Sequence, residues 1–291
     1  MPYLVLIMNV LYLQRFFRWL RCLLFVTILL TQFHLEAFSH SPKKQHTRIE
    51  KEAYLIFGSG TSRSIFRDMA TSPLFYSGYT FTFKGGTEFI SSRKETLLDV
   101  TYQTGDHRSR MNYTSTSSNF HSFEAKASSL FIITKNRSGR YSIFIGPAAI
   151  STLNYRQNRS LMNNSFGMES ISSIMFSSKL KYNCFRRVSH GVRDHLYFYL
   201  DVSLINFNYR PGYAYNYLPQ IENSQINSFY DYKLSVNGFR ANSGVGYSRF
   251  LKNGNALRLS YNFTAYNAPG RFEEFSHATH SIVLSFLFRY K

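Results

Sequence analysis

The end of this chain constrains it most. His277–Lys291 reads HATHSIVLSFLFRYK, with Ile282, Leu284, Phe286, Phe288 and Tyr290 on one face and Thr279, Ser281, Val283, Ser285, Leu287 and Arg289 on the other. A period of two is the signature of a β-strand. A strand that runs almost to the last residue needs a partner. If its apolar row meets lipid, the sheet must close on itself, because an open edge has no water to satisfy it.

The same alternation recurs upstream. Tyr79, Phe81 and Phe83 share a face against Thr80 and Thr82, and Leu98, Val100 and Tyr102 share another. Tyr141, Ile143 and Ile145 follow the turn Lys135–Gly139, which gives a hairpin signal. In His195–Arg210, Leu196, Phe198, Leu200, Val202 and Leu204 form an apolar row opposite Tyr197, Tyr199, Asp201, Ser203 and Ile205. In Ala256–Tyr266, Leu257, Leu259, Tyr261, Phe263 and Ala265 alternate with Arg258, Ser260, Asn262 and Thr264. The compact turn Lys252-Asn253-Gly254-Asn255 precedes that strand. Gly105–Asn112, Arg156–Asn164, Lys181–Asp194 and Pro211–Asn227 read as polar loops, the last long enough for an extracellular excursion.

The face that is not apolar carries charge. Asp99, Glu124, Lys126, Asp201 and Arg258 each fall within an expected strand. A charge in lipid is costly, so these five are expected to face a lumen. There they would pair across the interior or line a narrow pore.

Aromatic residues make up 18% of the chain, a content that suits pleated surfaces and interfacial girdles. Mean hydropathy is -0.24. A multi-helix membrane protein needs several spans of about 20 apolar residues, and beyond the N-terminus the sequence has no such span. A membrane barrel escapes the requirement because only every second strand residue meets lipid. The expected fold is all-β: a closed antiparallel transmembrane β-barrel of about 12 strands, with 10–14 allowed by about eighteen residues per strand and turn. A soluble sandwich or barrel that binds a ligand in its apolar inside is the competing reading.

The N-terminus has the order of an export signal. Arg15, Arg18 and Arg21 precede the apolar Cys22–Leu30, and Ala37-Phe38-Ser39 places small residues at alternate positions. Residues 1–39 are expected to be a signal peptide, 40–73 a periplasmic lead or lumen segment with a short helix over Ser62–Ala70, and 74–291 the barrel. With Cys22 in the signal, Cys184 is alone, which leaves no intramolecular disulfide and no multi-Cys metal site. No metal or other cofactor is expected.

The formal net charge of +18 is scattered along the chain. In an exported protein it points away from nucleic acid and toward anionic membrane lipid and lipopolysaccharide. Gly58-Ser59-Gly60 lacks the Lys and Ser or Thr of a phosphate loop. A lipid hydrolase would need a serine, a base and an orienting acid. His277, His280 and Ser281 are close in sequence. However, His277 and His280 face opposite ways in a regular strand, and Ser281 is about 13 Å from His277 along it. No catalytic residue is assigned, and an enzyme is the lesser expectation.

With its export signal, the segment Ser72–Gly78 (SPLFYSG) and the ending Ser281–Lys291 (SIVLSFLFRYK), the chain resembles the outer-membrane β-barrel proteins of Bacteroidetes-type bacteria. The final Lys291 departs from the aromatic last residue common in them. The resemblance implies export, periplasmic chaperoning, insertion by the barrel assembly machinery and a place in the bacterial outer membrane. It implies no substrate.

Overall fold

A computed structural model of the protein describes residues 52–69, 72–91, 93–111, 114–135, 140–158, 166–184, 193–211, 232–269 and 274–290. The expected signal peptide (1–39) and the Pro211–Asn227 loop beyond residue 211 lie outside them. The described residues fold into eleven strands: β1 (Glu52–Asp68), β2 (Ser72–Ile90), β3 (Lys94–Met111), β4 (Thr114–Lys135), β5 (Tyr141–Gln157), β6 (Phe166–Asn183), β7 (Arg193–Pro211), β8 (Tyr232–Ser235), β9 (Phe239–Phe250), β10 (Ala256–Ala268) and β11 (Phe275–Arg289).

Each strand pairs antiparallel with its neighbours in sequence, except that β8 and β9 both pair with β7 and not with each other, and β11 pairs with β1 from Tyr54↔Arg289 to Asp68↔Phe275. The sheet is thereby closed. Along β7, β9 occupies Arg193–Val202 and β8 occupies Asn208–Pro211, so β8 and β9 share one stave and the wall has ten. That number lies inside the expected range.

The segment assigned to a lead or lumen plug before residue 74 is different. Residues 52–68 are the first strand of the wall, and Ser62–Asp68 is extended, not helical. The sequence hid this strand because its outward row, with Ser59, Thr61 and Arg63, breaks the apolar alternation. β3 likewise continues through Met111 where a loop over Gly105–Asn112 was expected, and Arg156 and Lys181 belong to β5 and β6. Strands that pass beyond an apolar belt keep their ladder partners while their outward residues turn polar, so pairing outlasts alternation.

The pleat sorts the residues. Outward rows are apolar: Phe81, Phe83, Leu259, Ile282 and Leu284 are each more than half exposed. Inward rows are small, polar or charged, as in Thr80, Thr82, Ser281 and Ser285, all buried. Both termini of the described chain lie at one end. At that end Tyr54, Ile56, Phe250, Ala256 and Leu287 form an apolar plug, with Tyr54 and Phe250 edge-to-face at 5.8 Å. At the distal end Phe66, Tyr76, Phe120, Tyr266 and Phe275 form a second one.

The turn between β9 and β10 shows local sequence dictating local form. Gly254 has φ +85°, a conformation that suits glycine. Its N–H donates to Leu251 O at 3.0 Å and Leu251 N–H to Asn255 O at 2.7 Å. The β7 wall is less regular. Its pairing with β6 shifts between Ile174 and Met175, and on the other side Ser203–Phe207 lies between the β9 and β8 ladders. Side chains stand in for ladder bonds there: Asn206 Nδ2 donates to Gly238 O at 2.8 Å, Asn208 Nδ2 to Asn237 O at 2.7 Å, and Arg240 N–H to Ser203 Oγ at 2.9 Å.

Candidate functional site: the charged interior

Between the two apolar ends lies a cavity of about 140 Å³ with a polar and charged wall. The five charged residues singled out from sequence line it: Asp99, Glu124, Lys126, Asp201 and Arg258. Each is inward by the period of its strand, alternating with exposed Val100, Phe123, Leu200 and Leu257.

They do not stand as isolated charges. Lys126 on β4 reaches Asp201 on β7 at 2.5 Å, and Asp201 also accepts from Ser177 Oγ at 2.5 Å. Arg258 on β10 reaches Glu88 on β2 at 2.7 Å. Glu124 on β4 pairs with Arg240 on β9, whose other amino group donates to Thr152 at 2.8 Å. Asp99 pairs with Lys84 on the neighbouring β2 at 2.7 Å.

Sequence reasoning left several of these partners out. Glu95 on β3 takes Lys179 at 2.6 Å and Lys181 at 3.1 Å, both from β6. Nearer the distal end, Asp68 on β1 takes Arg156 from β5 at 2.7 Å and Arg210 from β7 at 2.8 Å, and Arg156 also pairs with Glu169. A signal for Lys179 existed, since it shares the inward period of Ile171 and Met175. Arg156 and Asp68 gave none, because both fell in segments read as non-strand.

The pairs form a cross-bracing. Apart from Lys84–Asp99 and Arg156–Glu169, each links staves separated by two or three others around the wall. Aromatic rings fill the space between. Arg156 lies 4.7 Å and Arg210 5.1 Å from the Phe275 centroid, Arg240 5.0 Å from Tyr266, Lys126 4.8 Å from Tyr199 and Lys179 5.1 Å from Tyr197. Cations over ring faces gain from the ring quadrupole, more so when desolvated. The interior is thus packed with mutually neutralised charge.

The histidines and serine considered for hydrolysis are not brought together. His277 is buried inside and His280 is exposed outside, where it meets the Tyr261 hydroxyl at 2.6 Å. Another pair is formed instead, Ser64 Oγ and His107 Nε2 at 2.5 Å, both buried. His107 Nδ1 has no hydrogen-bond partner among the described residues, so no orienting acid completes a triad. No group of three metal-ligating side chains occurs among the described residues.

A closed antiparallel wall, apolar outside and charged within, is the arrangement that lets strands span a bilayer. The fold therefore defines an outer-membrane-type β-barrel. No family model and no curated protein matches the chain. Among solved structures it is similar to the outer membrane protease OmpT from Escherichia coli, with TM-score 0.52, 6% identity, and coverage of 86% of this chain and 99% of that one. The translocator domain of autotransporter NalP from Neisseria meningitidis gives 0.41, at 7% identity over 88% and 91% of the two chains. Neisserial surface protein A gives 0.32, at 8% identity over 79% and 95%. The likeness is one of fold.

Proposed function

We propose that this protein is an envelope structural or accessory barrel of a bacterial outer membrane, with a self-filled interior and no standing pore. One observation carries the reading: ion pairs such as Lys126–Asp201 and Arg258–Glu88 cross the lumen between non-adjacent staves. A small-solute channel, the other task considered for such a barrel, needs a continuous wet path. The Tyr54–Phe250 plug at one end and the Arg156–Phe275 layer at the other both stand against that path.

The same reading takes residues 1–39 as the export signal and the barrel assembly machinery as the inserting partner. Membrane lipid and lipopolysaccharide are its surroundings. The resemblance to Bacteroidetes-type barrels rests on the residues quoted above and gives a source, not a task. We take the protein to be non-enzymatic. The Ser64–His107 pair is the one feature that favours a hydrolase, and it lies behind Phe66 and Phe120, whose rings are 5.2 and 4.9 Å from the imidazole.

Planar-bilayer recording tests this. The wild-type barrel is expected to show no steady conductance, whereas removing cross-braces and both end layers together (Lys126→Ala, Arg258→Ala, Phe250→Ala and Phe275→Ala) is expected to give discrete openings. A steady ohmic conductance from the wild type would sink the closed-interior reading.

A further inference from the structure

The outer wall carries charge where a lipid-facing surface is not expected to. Following the register from β11 to β3, residues opposite one another across the ladders form rows. One runs His280, Arg63, Tyr79, Asp106; the row two residues nearer the distal end runs Ala278, Ile65, Ser77, Arg108; the next runs Ser276, Arg67, Phe75. Arg63 and Arg108 are outward and exposed, and Arg67 is half-buried. Three guanidinium groups therefore sit on this side of the wall, two on β1 and one on β3, with β2 between them. Phe75 lies 5.0 Å from Arg67 and Tyr79 lies 5.9 Å from Arg63.

Arg67 has Glu274 at 3.4 Å, whereas neither Arg63 nor Arg108 has an ion-pair partner among the described residues. Asp106 is the one carboxylate in these rows. The corresponding outward positions on β4 to β7, including Asn119, Tyr155, Phe207 and Tyr209, are uncharged. The cluster belongs to one side of the barrel.

Depth decides what these cations meet. From Leu55 to Arg63 is eight residues, roughly 26 Å along the strand and roughly 20 Å along the axis at a typical barrel tilt. An apolar band about 25 Å tall then ends near the arginines. The distal end carries the longest connection, 212–231, and is opposite both termini, the pattern of a cell-exterior end. The arginines thus sit at headgroup depth in the outer leaflet, where a cation attracts anionic headgroups.

A second feature lies beside them. Ala265 and Ala278 are opposite each other in adjacent strands and leave a groove of about 300 Å³ in the outer wall, bounded by Ile65, Phe75 and Phe239, with Arg67 at its edge. The groove is apolar, and of the three arginines Arg67 borders it.

We propose that the distal outer wall of β11–β1–β2–β3 is a binding site for a phosphorylated glycolipid of the outer leaflet, its phosphates on Arg63 and Arg108. Arg63 and Arg108 are two staves apart, about 10 Å sideways, a span suited to a sugar headgroup bearing two phosphates more than to a single phosphodiester. The site depends on the barrel spanning the membrane, not on its interior being closed.

The test uses the detergent-purified barrel and native mass spectrometry with three probes: bisphosphorylated lipid A, the same lipid dephosphorylated, and phosphatidylglycerol. Lipid A is expected to be retained over both others. Arg63→Gln with Arg108→Gln is expected to lower its retention roughly 25-fold, about fivefold per arginine, while Lys135→Gln at the opposite end leaves it unchanged. Heat-modifiable gel migration confirms folding, and the single variants serve if the double one fails. Wild-type retention by the folded arginine variants, or equal retention of dephosphorylated lipid, would overturn the site. Equal retention of phosphatidylglycerol would overturn the glycolipid assignment. A conducting barrel that still holds lipid A would overturn only the closed interior.

Discussion

Lys126 Nζ and Asp201 Oδ2 meet at 2.5 Å although two staves, β5 and β6, separate their strands around the wall. Asp201 is fully buried. Removing one partner strands a charge in a low-dielectric interior. Asp201→Ala is expected to cost about 3–5 kcal/mol, and pairing it with Lys126→Met to recover part of that. Urea unfolding of the vesicle-inserted barrel, read as a double-mutant cycle, gives the coupling. Additive losses would show that the two residues do not act as a pair.

Close strand approach at the seam gives a second expectation. A Cβ on Gly60 would lie 2.0 Å from Ile282 O and 2.8 Å from Val283 Cα, both main chain of β11. On Gly85 the nearest atom would be 4.0 Å away. Gly60→Ala is therefore expected to abolish the heat-modifiable folded band, and Gly85→Ala to be neutral or stabilising by up to about 1 kcal/mol. Equal folding yields for the two variants would contradict the seam geometry.

Depth on the outer face is testable with arginine. Leu284 lies midway along the apolar rows and is 56% exposed, whereas Tyr290 is beyond the end of β11. Leu284→Arg is expected to cost about 2–4 kcal/mol and Tyr290→Arg about 0–1. The free energies come from denaturant titration in vesicles. A cheap Leu284→Arg would mean that this row does not face hydrocarbon.

The plug at the terminal end should behave as a packed core. Phe250→Ala removes a buried ring from contact with Tyr54 and is expected to cost about 3–5 kcal/mol. Conductance recorded on this variant alone should stay silent, because the ion pairs still cross the lumen. A single-site opening would place the whole barrier at this ring.

The faces of β7, β10 and β11 were legible in the sequence, because apolar and polar residues alternate there over most of the strand. The inward positions of Asp99, Glu124, Lys126, Asp201 and Arg258 came with them. Their partners did not, because Arg258–Glu88 and Lys126–Asp201 join strands far apart in the chain, and pairing across a tube depends on stave order and not on local period. β1 was illegible for another reason. Its outward row holds Ser59, Thr61 and Arg63 where a greasy row was sought, and Arg63 is intelligible only beside Tyr79 and Arg108. Arg156 and Lys181 were missed because polar strand ends resemble loops.

The ladder joining Tyr54 to Arg289 ties together the first and last strands of the described residues. No smaller cylinder exists along the way among the described strands: until Phe275–Arg289 is synthesised, the sheet has two raw margins and nothing to unite them. Such distant contacts make folding slow, and the chain must stay unaggregated throughout the wait. Truncation before Phe275 would therefore leave an open ribbon instead of a narrower tube.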